Sequence, residues 1–78
     1  MELSYDPKFN IAYLRFRPKT KEVESIKISD EIIVDISPDG VVYGIELLNA
    51  NEQLKREGDT LSIINEATGE KRNINLSI

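Results

Sequence analysis

The sequence predicts a small, mostly β (α+β) domain: an antiparallel β-meander of about five strands, one short helix near residues 50–57, and then a C-terminal β-hairpin. Two observations support this fold class. Apolar residues recur with a period near two, and Gly, Pro, Asn or Asp interrupts them at short intervals. The length of 78 residues leaves room for one domain, residues 1–78, with a thin hydrophobic core.

The strands of the meander follow from the alternation, and their limits follow from turn-forming residues. Pro7 favours a turn after the first strand, and Pro18 ends the second. The tightest turn is expected at residues 37–40, Ser-Pro-Asp-Gly, where Pro38 and Gly40 supply the backbone angles of a hairpin. The strands are expected at residues 3–5, 11–17, 23–28, 32–36 and 41–48.

The hairpin around residues 37–40 also predicts a register. If Ile36 pairs with Val41, Glu31 lies opposite Glu46, and the side chains divide between two faces. The expected core face carries Ile32, Val34, Ile36, Val41, Tyr43, Ile45 and Leu47. The other face, of mixed character, carries Glu31, Ile33, Asp35, Val42, Gly44, Glu46 and Leu48.

The last third of the chain is expected to form a short helix and a hairpin. Asn49 is suited to cap the helix, with Glu52 three residues later, and Gly58 ends it. Residues 61–65 and 71–78 are expected to pair around a turn at residues 66–70. The apolar residues of this hairpin are Leu61, Ile63, Ile74, Leu76 and Ile78.

The amino-acid composition narrows the range of possible functions. A net charge of -4 and a pI near 4.7 argue against a dedicated nucleic-acid binder, which needs a basic surface. The chain has no cysteine and no histidine, so it lacks the commonest zinc ligands and the side chain that best moves protons near neutral pH. Much enzyme chemistry is therefore excluded, and we expect no cofactor. The absence of a long apolar run and of a signal-peptide pattern predicts a cytoplasmic protein without membrane contact.

One motif resembles a calcium-binding loop. Asp35, Ser37, Asp39, Gly40 and Glu46 match the spacing of an EF-hand. Both flanks, however, have the alternation of strands rather than helices. The predicted register also places Glu46 about 13 Å along the ladder from the partner of Asp35. We therefore interpret the segment as a turn.

Carboxylates on the mixed face form a second candidate site. Glu31, Asp35 and Glu46 lie on one side of the predicted hairpin. Such a group can bind a divalent cation or supply the acid and base of a hydrolase. The alternative is an ordinary solvated sheet surface.

A basic stripe follows the second predicted strand. Arg15, Arg17, Lys19 and Lys21 alternate, so they project to one side of an extended chain. They would contact phosphate or an acidic protein partner. The alternative is that these residues protect a sheet edge against unwanted pairing.

A combination of short motifs resembles a known family. The motifs are Ser-Tyr-Asp-Pro at residues 4–7, Ala-Tyr-Leu-Arg at 12–15, Ile-Val-Asp at 33–35, Asp-Gly at 39–40 and Gly-Ile-Glu-Leu-Leu-Asn-Ala at 44–50. Over about residues 1–54 the chain is similar to the domain of unknown function 2283 family. The resemblance implies a small cytoplasmic prokaryotic protein with a meander sheet, and it implies no activity, cofactor or catalytic residue. Residues 9–11 depart from the family pattern, and the C-terminal hairpin extends past it.

The sequence therefore favours a non-enzymatic protein-interaction module, forming a homodimer and binding a protein partner through a sheet edge or the mixed face. By analogy, such a module would suit the neutralising partner of a toxin-antitoxin-like pair. The alternatives are a small metal-dependent or carboxylate-based hydrolase, and a nucleic-acid binder that uses the basic stripe. The candidate interaction surface comprises Arg15, Arg17, Lys19, Lys21, Glu31, Ile33, Asp35, Val42 and Glu46.

Overall fold

A computed structural model describes residues 1–19 and 22–78 and confirms the predicted fold class. The elements are β1 (Glu2–Asp6), β2 (Ile11–Arg15), β3 (Glu24–Lys27), β4 (Ile32–Ile36), β5 (Val42–Leu48), α1 (Ala50–Lys55), β6 (Thr60–Ile64) and β7 (Lys71–Asn75). The first five strands form one antiparallel sheet, and β6 and β7 form a separate antiparallel hairpin. Within the described ranges, no helix is long and apolar enough to cross a membrane.

The five-stranded sheet has the order β1-β2-β5-β4-β3, so it is not one continuous meander. The β1–β2 hairpin and the β3–β4–β5 meander join where β5 pairs with β2. β5 is the longest strand, with apolar residues at five of its seven positions, and at the centre of the sheet it is paired on both sides. β3 contains one apolar residue and lies at an exposed edge.

The register between β4 and β5 differs from the predicted one. The structure pairs Asp35 with Gly44 and Ile36 with Val42, and a bulge separates the two pairs. The predicted register is therefore wrong by one residue at the Ile36–Val42 pair and by two residues from the Asp35–Gly44 pair onwards. Next to the turn, the Ser37 N–H donates to the Val41 carbonyl at 2.9 Å. A shift of two residues leaves side chains on their predicted faces.

The predicted turn at residues 37–40 is confirmed. The Gly40 N–H donates to the Ser37 carbonyl at 3.0 Å, and the Val41 N–H donates to Ser37 Oγ at 3.0 Å. The Ser37 hydroxyl donates in turn to the Asp39 carboxylate. Gly40 has a φ of 90°, which a residue with a Cβ rarely adopts. The turn is thus closed by its own backbone and side chains.

Helix α1 is capped by a residue that the sequence did not indicate. The prediction that Asn49 caps the helix through its side chain is wrong, because Asn49 is left-handed, with φ 51°, and its side chain donates to Glu52. Asn10, in the β1–β2 turn, supplies the cap instead. Its Oδ1 accepts from the Asn51 N–H at 2.9 Å, and its carbonyl accepts from the Ala50 N–H at 3.0 Å. The helix also ends at Lys55, two residues before the predicted limit.

Replacement of Asn10 tests this long-range cap. Asn10→Ala is expected to lower the free energy of unfolding by about 2 kcal/mol, because it removes the side-chain cap and replaces Asn by a residue that tolerates the left-handed φ of 55° less well. Asn10→Gly relieves the backbone strain alone, so about half of that loss is expected to remain. Urea denaturation measures both values. Wild-type stability in the alanine variant would contradict the assignment.

The hydrophobic core is very small. Among the described residues only Ala12, Tyr43 and Ala50 are buried apolar residues, and no large side chain is fully buried. Every residue of β6 and β7 is exposed. The radius of gyration is 14.2 Å, whereas about 11.5 Å is typical of a compact domain of this length. The chain therefore leaves much of its apolar surface uncovered.

Candidate interaction surface

The two faces of the five-stranded sheet differ sharply in chemistry. Cross-strand pairing places the apolar side chains on one face. This apolar face comprises Leu3, Tyr5, Ala12, Leu14, Ile26, Ile32, Val34, Ile36, Val42, Ile45 and Leu47. The opposite, polar face includes Ser4, Tyr13, Arg15, Ser25, Lys27, Ile33, Asp35, Gly44, Glu46 and Leu48.

The helix covers only one end of the apolar face. α1 packs against β2 and β5, and Ala12 of the sheet and Ala50 of the helix are both fully buried. The Gln53 amide fixes the helix by donating to the backbone carbonyls of Glu31, at 2.9 Å, and Leu48. Away from the helix Tyr43 is buried, but the other apolar side chains are half-buried or exposed, with Leu3 40% and Ile26 44% exposed at the two edges. The apolar face is thus largely open.

The polar face is built around the buried carboxylate of Asp35, which is only 6% exposed. Its Oδ1 accepts a hydrogen bond from Ser25 Oγ at 2.7 Å. Its Oδ2 accepts from the Tyr13 hydroxyl at 3.0 Å and lies 2.8 Å from Lys19 Nζ. We call these four residues the Asp35 cluster. They connect β2, β3, β4 and the segment after β2.

Gly44 allows the Asp35 cluster to form across the sheet. β5 lies between β2 and β4, so the Tyr13 side chain must pass over β5 to reach Asp35. A Cβ atom on Gly44 would lie 2.4 Å from the Tyr13 hydroxyl oxygen and 2.7 Å from the Leu14 carbonyl oxygen. This role of Tyr13 was not predicted from the sequence. The feature that could have indicated it is Gly44, because an isolated glycine within a strand is typical of a place where another group approaches the backbone closely.

The pKa shifts within the Asp35 cluster have the directions expected of a hydrogen-bonded ion pair. Burial alone would raise the pKa of Asp35, but hydrogen bonds from Lys19, Ser25 and Tyr13 outweigh it and hold that pKa below its usual value. The hydrogen bond to Asp35 raises the pKa of Lys19. Burial, together with the hydrogen bond to Asp35, raises the pKa of Tyr13. Both carboxylate oxygens are therefore occupied, and the groups keep their ordinary charges near neutral pH.

Acid titration tests the contribution of Asp35. Because its pKa is lower in the folded chain, its stabilisation is complete above the unfolded pKa of about 3.9 and is lost as the pH falls through the folded value. The melting temperature of the wild type should fall steeply below about pH 4. Asp35→Asn should melt lower at neutral pH and depend less on acid. Parallel pH curves for the two chains would show that Asp35 makes no such contribution.

The basic stripe is largely neutralised within the chain. Arg15 forms an ion pair with Glu2, and Lys19 belongs to the Asp35 cluster. Arg17 is exposed after the end of β2, and the prediction for Lys21 falls outside the described residues. The structure thus commits two of these cations to carboxylates of the same chain, which does not favour a phosphate-binding surface.

The three predicted carboxylates do not come together. The expected pairing of Glu31 with Glu46 is wrong, because Glu46 lies opposite Ile33 in the observed register. The carboxylate of Glu31 instead pairs with Arg56 at 2.8 Å. Among residues 1–19 and 22–78, no group of three or more acidic side chains is placed to hold a metal ion.

The calcium-loop match also loses its geometry, although for a different reason than predicted. Asp35 and Glu46 are diagonal neighbours, about 7 Å apart, rather than the distance expected from the predicted register. Asp35 is nevertheless fully occupied by its three partners, and Ser37 and Asp39 bond to each other in the turn. The side-chain oxygens of Asp35, Ser37 and Asp39 therefore make hydrogen bonds or ion pairs within the protein.

The two apolar members of the predicted surface separate. Ile33 is half-buried on the polar face, between Lys27 and Glu46 of the neighbouring strands. Val42 pairs with Ile36 next to the bulge and therefore joins the apolar face. The assignment of Val42 to the mixed face is wrong, because the bulge changes the register by one residue at that point.

Comparison with known protein families gives a match to the part of the chain that forms the five-stranded sheet. The model of the family described as "Protein of unknown function (DUF2283)" matches residues 2–51, from the first residue of β1 into α1. This chain belongs to the DUF2283 family. The match confirms the resemblance carried by the sequence motifs, and it includes both faces of the sheet but not the β6–β7 hairpin. No curated protein and no solved structure matches the DUF2283 chain.

Proposed function

We propose that this DUF2283 protein is a non-enzymatic interaction module that forms a homodimer through the apolar face of its sheet. The observation that carries the proposal is the open apolar face, which α1 covers at one end only. The proposal moves the interface from the polar, mixed face to the opposite one. On the polar face, Arg15, Lys19 and Asp35 already have partners within the chain.

The size of the core favours association. Covering a Leu or Ile side chain completely contributes about 1.5–3 kcal/mol. Only three apolar residues in the described part of the chain are buried, none of them a large aliphatic side chain. Micromolar affinity corresponds to about 8 kcal/mol after the cost of association. Several half-exposed Leu, Ile and Val side chains on one face can supply that free energy.

A second copy is a suitable partner because a twofold axis brings the same surface of two chains together. The apolar face of each chain is then covered by the second copy, and the charged polar faces remain in water on the outside. This arrangement covers the surface that a short chain leaves open. The Asp35 cluster supports the non-enzymatic interpretation, because its two hydroxyl groups and its ammonium group all bond to the Asp35 carboxylate.

Light scattering of the full chain tests the proposal. At micromolar concentration the measured mass should be twice the 8.9 kDa of one chain. Because the contact is apolar, the dimer should persist when the salt concentration is raised. A monomeric mass at micromolar concentration would overturn the proposal. Dissociation by salt would also count against it, because it would indicate a charged interface.

A further inference from the structure

We infer that the β6–β7 hairpin of each chain docks on the apolar face of the second copy. This inference rests on the proposed homodimer and identifies the segment that covers the face. The hairpin and the face are two unpartnered apolar surfaces of the same chain, and both have the geometry of a β-sheet.

One side of the hairpin is mainly apolar and about half exposed, with Arg72 opposite Ile63 as its charged member. Leu61 pairs with Ile74, and Ile63 lies on the same side. These three side chains are 46%, 47% and 53% exposed, respectively. Ser62 and Asn73 hydrogen bond to each other on the opposite side. An isolated two-stranded hairpin is marginal in water, so this one needs a surface on which to pack.

Among the described residues, the hairpin makes no extensive contact with its own sheet, and it follows α1 through a short connection. Only residues 56–59 separate the helix from β6. The Gly58 N–H donates to the Lys55 carbonyl at 3.1 Å, and the Leu76 N–H donates to the Asp59 carbonyl at 2.6 Å. The connection is therefore bonded both to the helix and to the end of the hairpin, while both strands remain exposed. The apolar face of another chain offers the matching surface.

The dimensions of the two surfaces agree. β6 and β7 have five residues each, as do β1, β2 and β4 of the sheet, so the strands on both sides are about 17 Å long. The hairpin is about 10 Å wide, and the sheet is about 24 Å wide. One hairpin thus fits on the part of the apolar face that α1 leaves open. In a twofold dimer each chain donates one hairpin and receives one, which produces two equal contacts.

Site-directed cross-linking tests this arrangement cleanly, because the chain has no cysteine of its own. A tagged chain with Leu61→Cys is refolded together with an untagged chain carrying Ile26→Cys or Leu3→Cys, at the two edges of the apolar face. A short bismaleimide is then added, and the tagged-to-untagged product is quantified. Ser62→Cys on the hairpin and Lys27→Cys on the sheet are the matched controls, since each is adjacent in sequence but projects to the opposite side.

The inference predicts at least a fivefold higher yield of the hairpin-to-sheet product for Leu61→Cys with an apolar-face cysteine than for either control. A dimeric mass with equal yields in all combinations would overturn hairpin docking and leave the proposed homodimer intact. A monomeric mass would overturn both. A chain carrying Leu61→Cys and Ile26→Cys together distinguishes the remaining case, because efficient cross-linking within one chain would show that the hairpin covers its own sheet.

Discussion

Gly44→Ala is expected to remove more than half of the free energy of unfolding. The new methyl group would lie 2.4 Å from the Tyr13 hydroxyl oxygen and 2.7 Å from the Leu14 carbonyl oxygen. Tyr13 can rotate away only by losing its hydrogen bond to Asp35, and the Leu14 carbonyl belongs to the neighbouring strand. We expect a loss of about 3 kcal/mol, against a total stability of roughly 5 kcal/mol for a small domain. Urea denaturation followed by circular dichroism measures the change.

A second substitution separates the two obstacles to the Gly44→Ala methyl group. In a Tyr13→Ser background the ring is absent, so adding Gly44→Ala should cost clearly less than it does in the wild type. A remaining cost is expected from the Leu14 carbonyl. Glu46→Ala, on the same strand and face, is the control and should change stability by about 0.5 kcal/mol or less. A Gly44→Ala variant as stable as this control would show that the crossing of Tyr13 over β5 does not constrain the fold.

Leu3→Lys is expected to weaken the homodimer by about 100-fold. Leu3 is 40% exposed on the apolar face, so the isolated chain can accommodate a lysine there. In the dimer the change removes apolar contact and places a charge at the interface, at a cost of about 1.5 kcal/mol per chain. A twofold interface contains the substitution twice, which gives about 3 kcal/mol in total. Sedimentation equilibrium measures the dissociation constant.

Ser4→Lys is the matched control for Leu3→Lys. Ser4 is the next residue of β1, is also exposed, and projects from the polar face. The same charge on the same edge strand should leave dimerisation within about threefold of the wild type. Equal weakening by both substitutions would point to the edge of β1, or to charge alone, as the determinant. Equal melting curves for the two variants would confirm that neither acts by unfolding the chain.

The local sequence was sufficient to predict the elements of this protein. Alternation with a period of two identified all seven strands, and Pro38 and Gly40 identified the turn that the structure closes. The C-terminal hairpin was found in the same way. These features depend on neighbouring residues, which determine which backbone angles and which side-chain faces are accessible.

The strand order and the register could be determined only from the tertiary structure. Nothing near β2 in the sequence indicates that β5, about 30 residues later, lies beside it. The bulge next to Ile36 depends equally on how three strands fit together. The Asp35 cluster follows from both, because Tyr13 and Asp35 meet only when Gly44 lies between them. The cap of α1 by Asn10 is another long-range contact of this kind.

The sequence by itself indicated which side chains share a face, with the exception of Val42 at the bulge, and only the tertiary structure showed how far each face is covered. The register shift of two residues left Val34 with Ile45 and Asp35 with Gly44 on their predicted sides. From the sequence the apolar side was expected to be covered core, but it is only partly covered, because a face is buried only where another element packs over it. Within the described ranges, α1 reaches one end of the apolar face, and the β6–β7 hairpin, whose strand residues are all exposed, makes no extensive contact with the sheet.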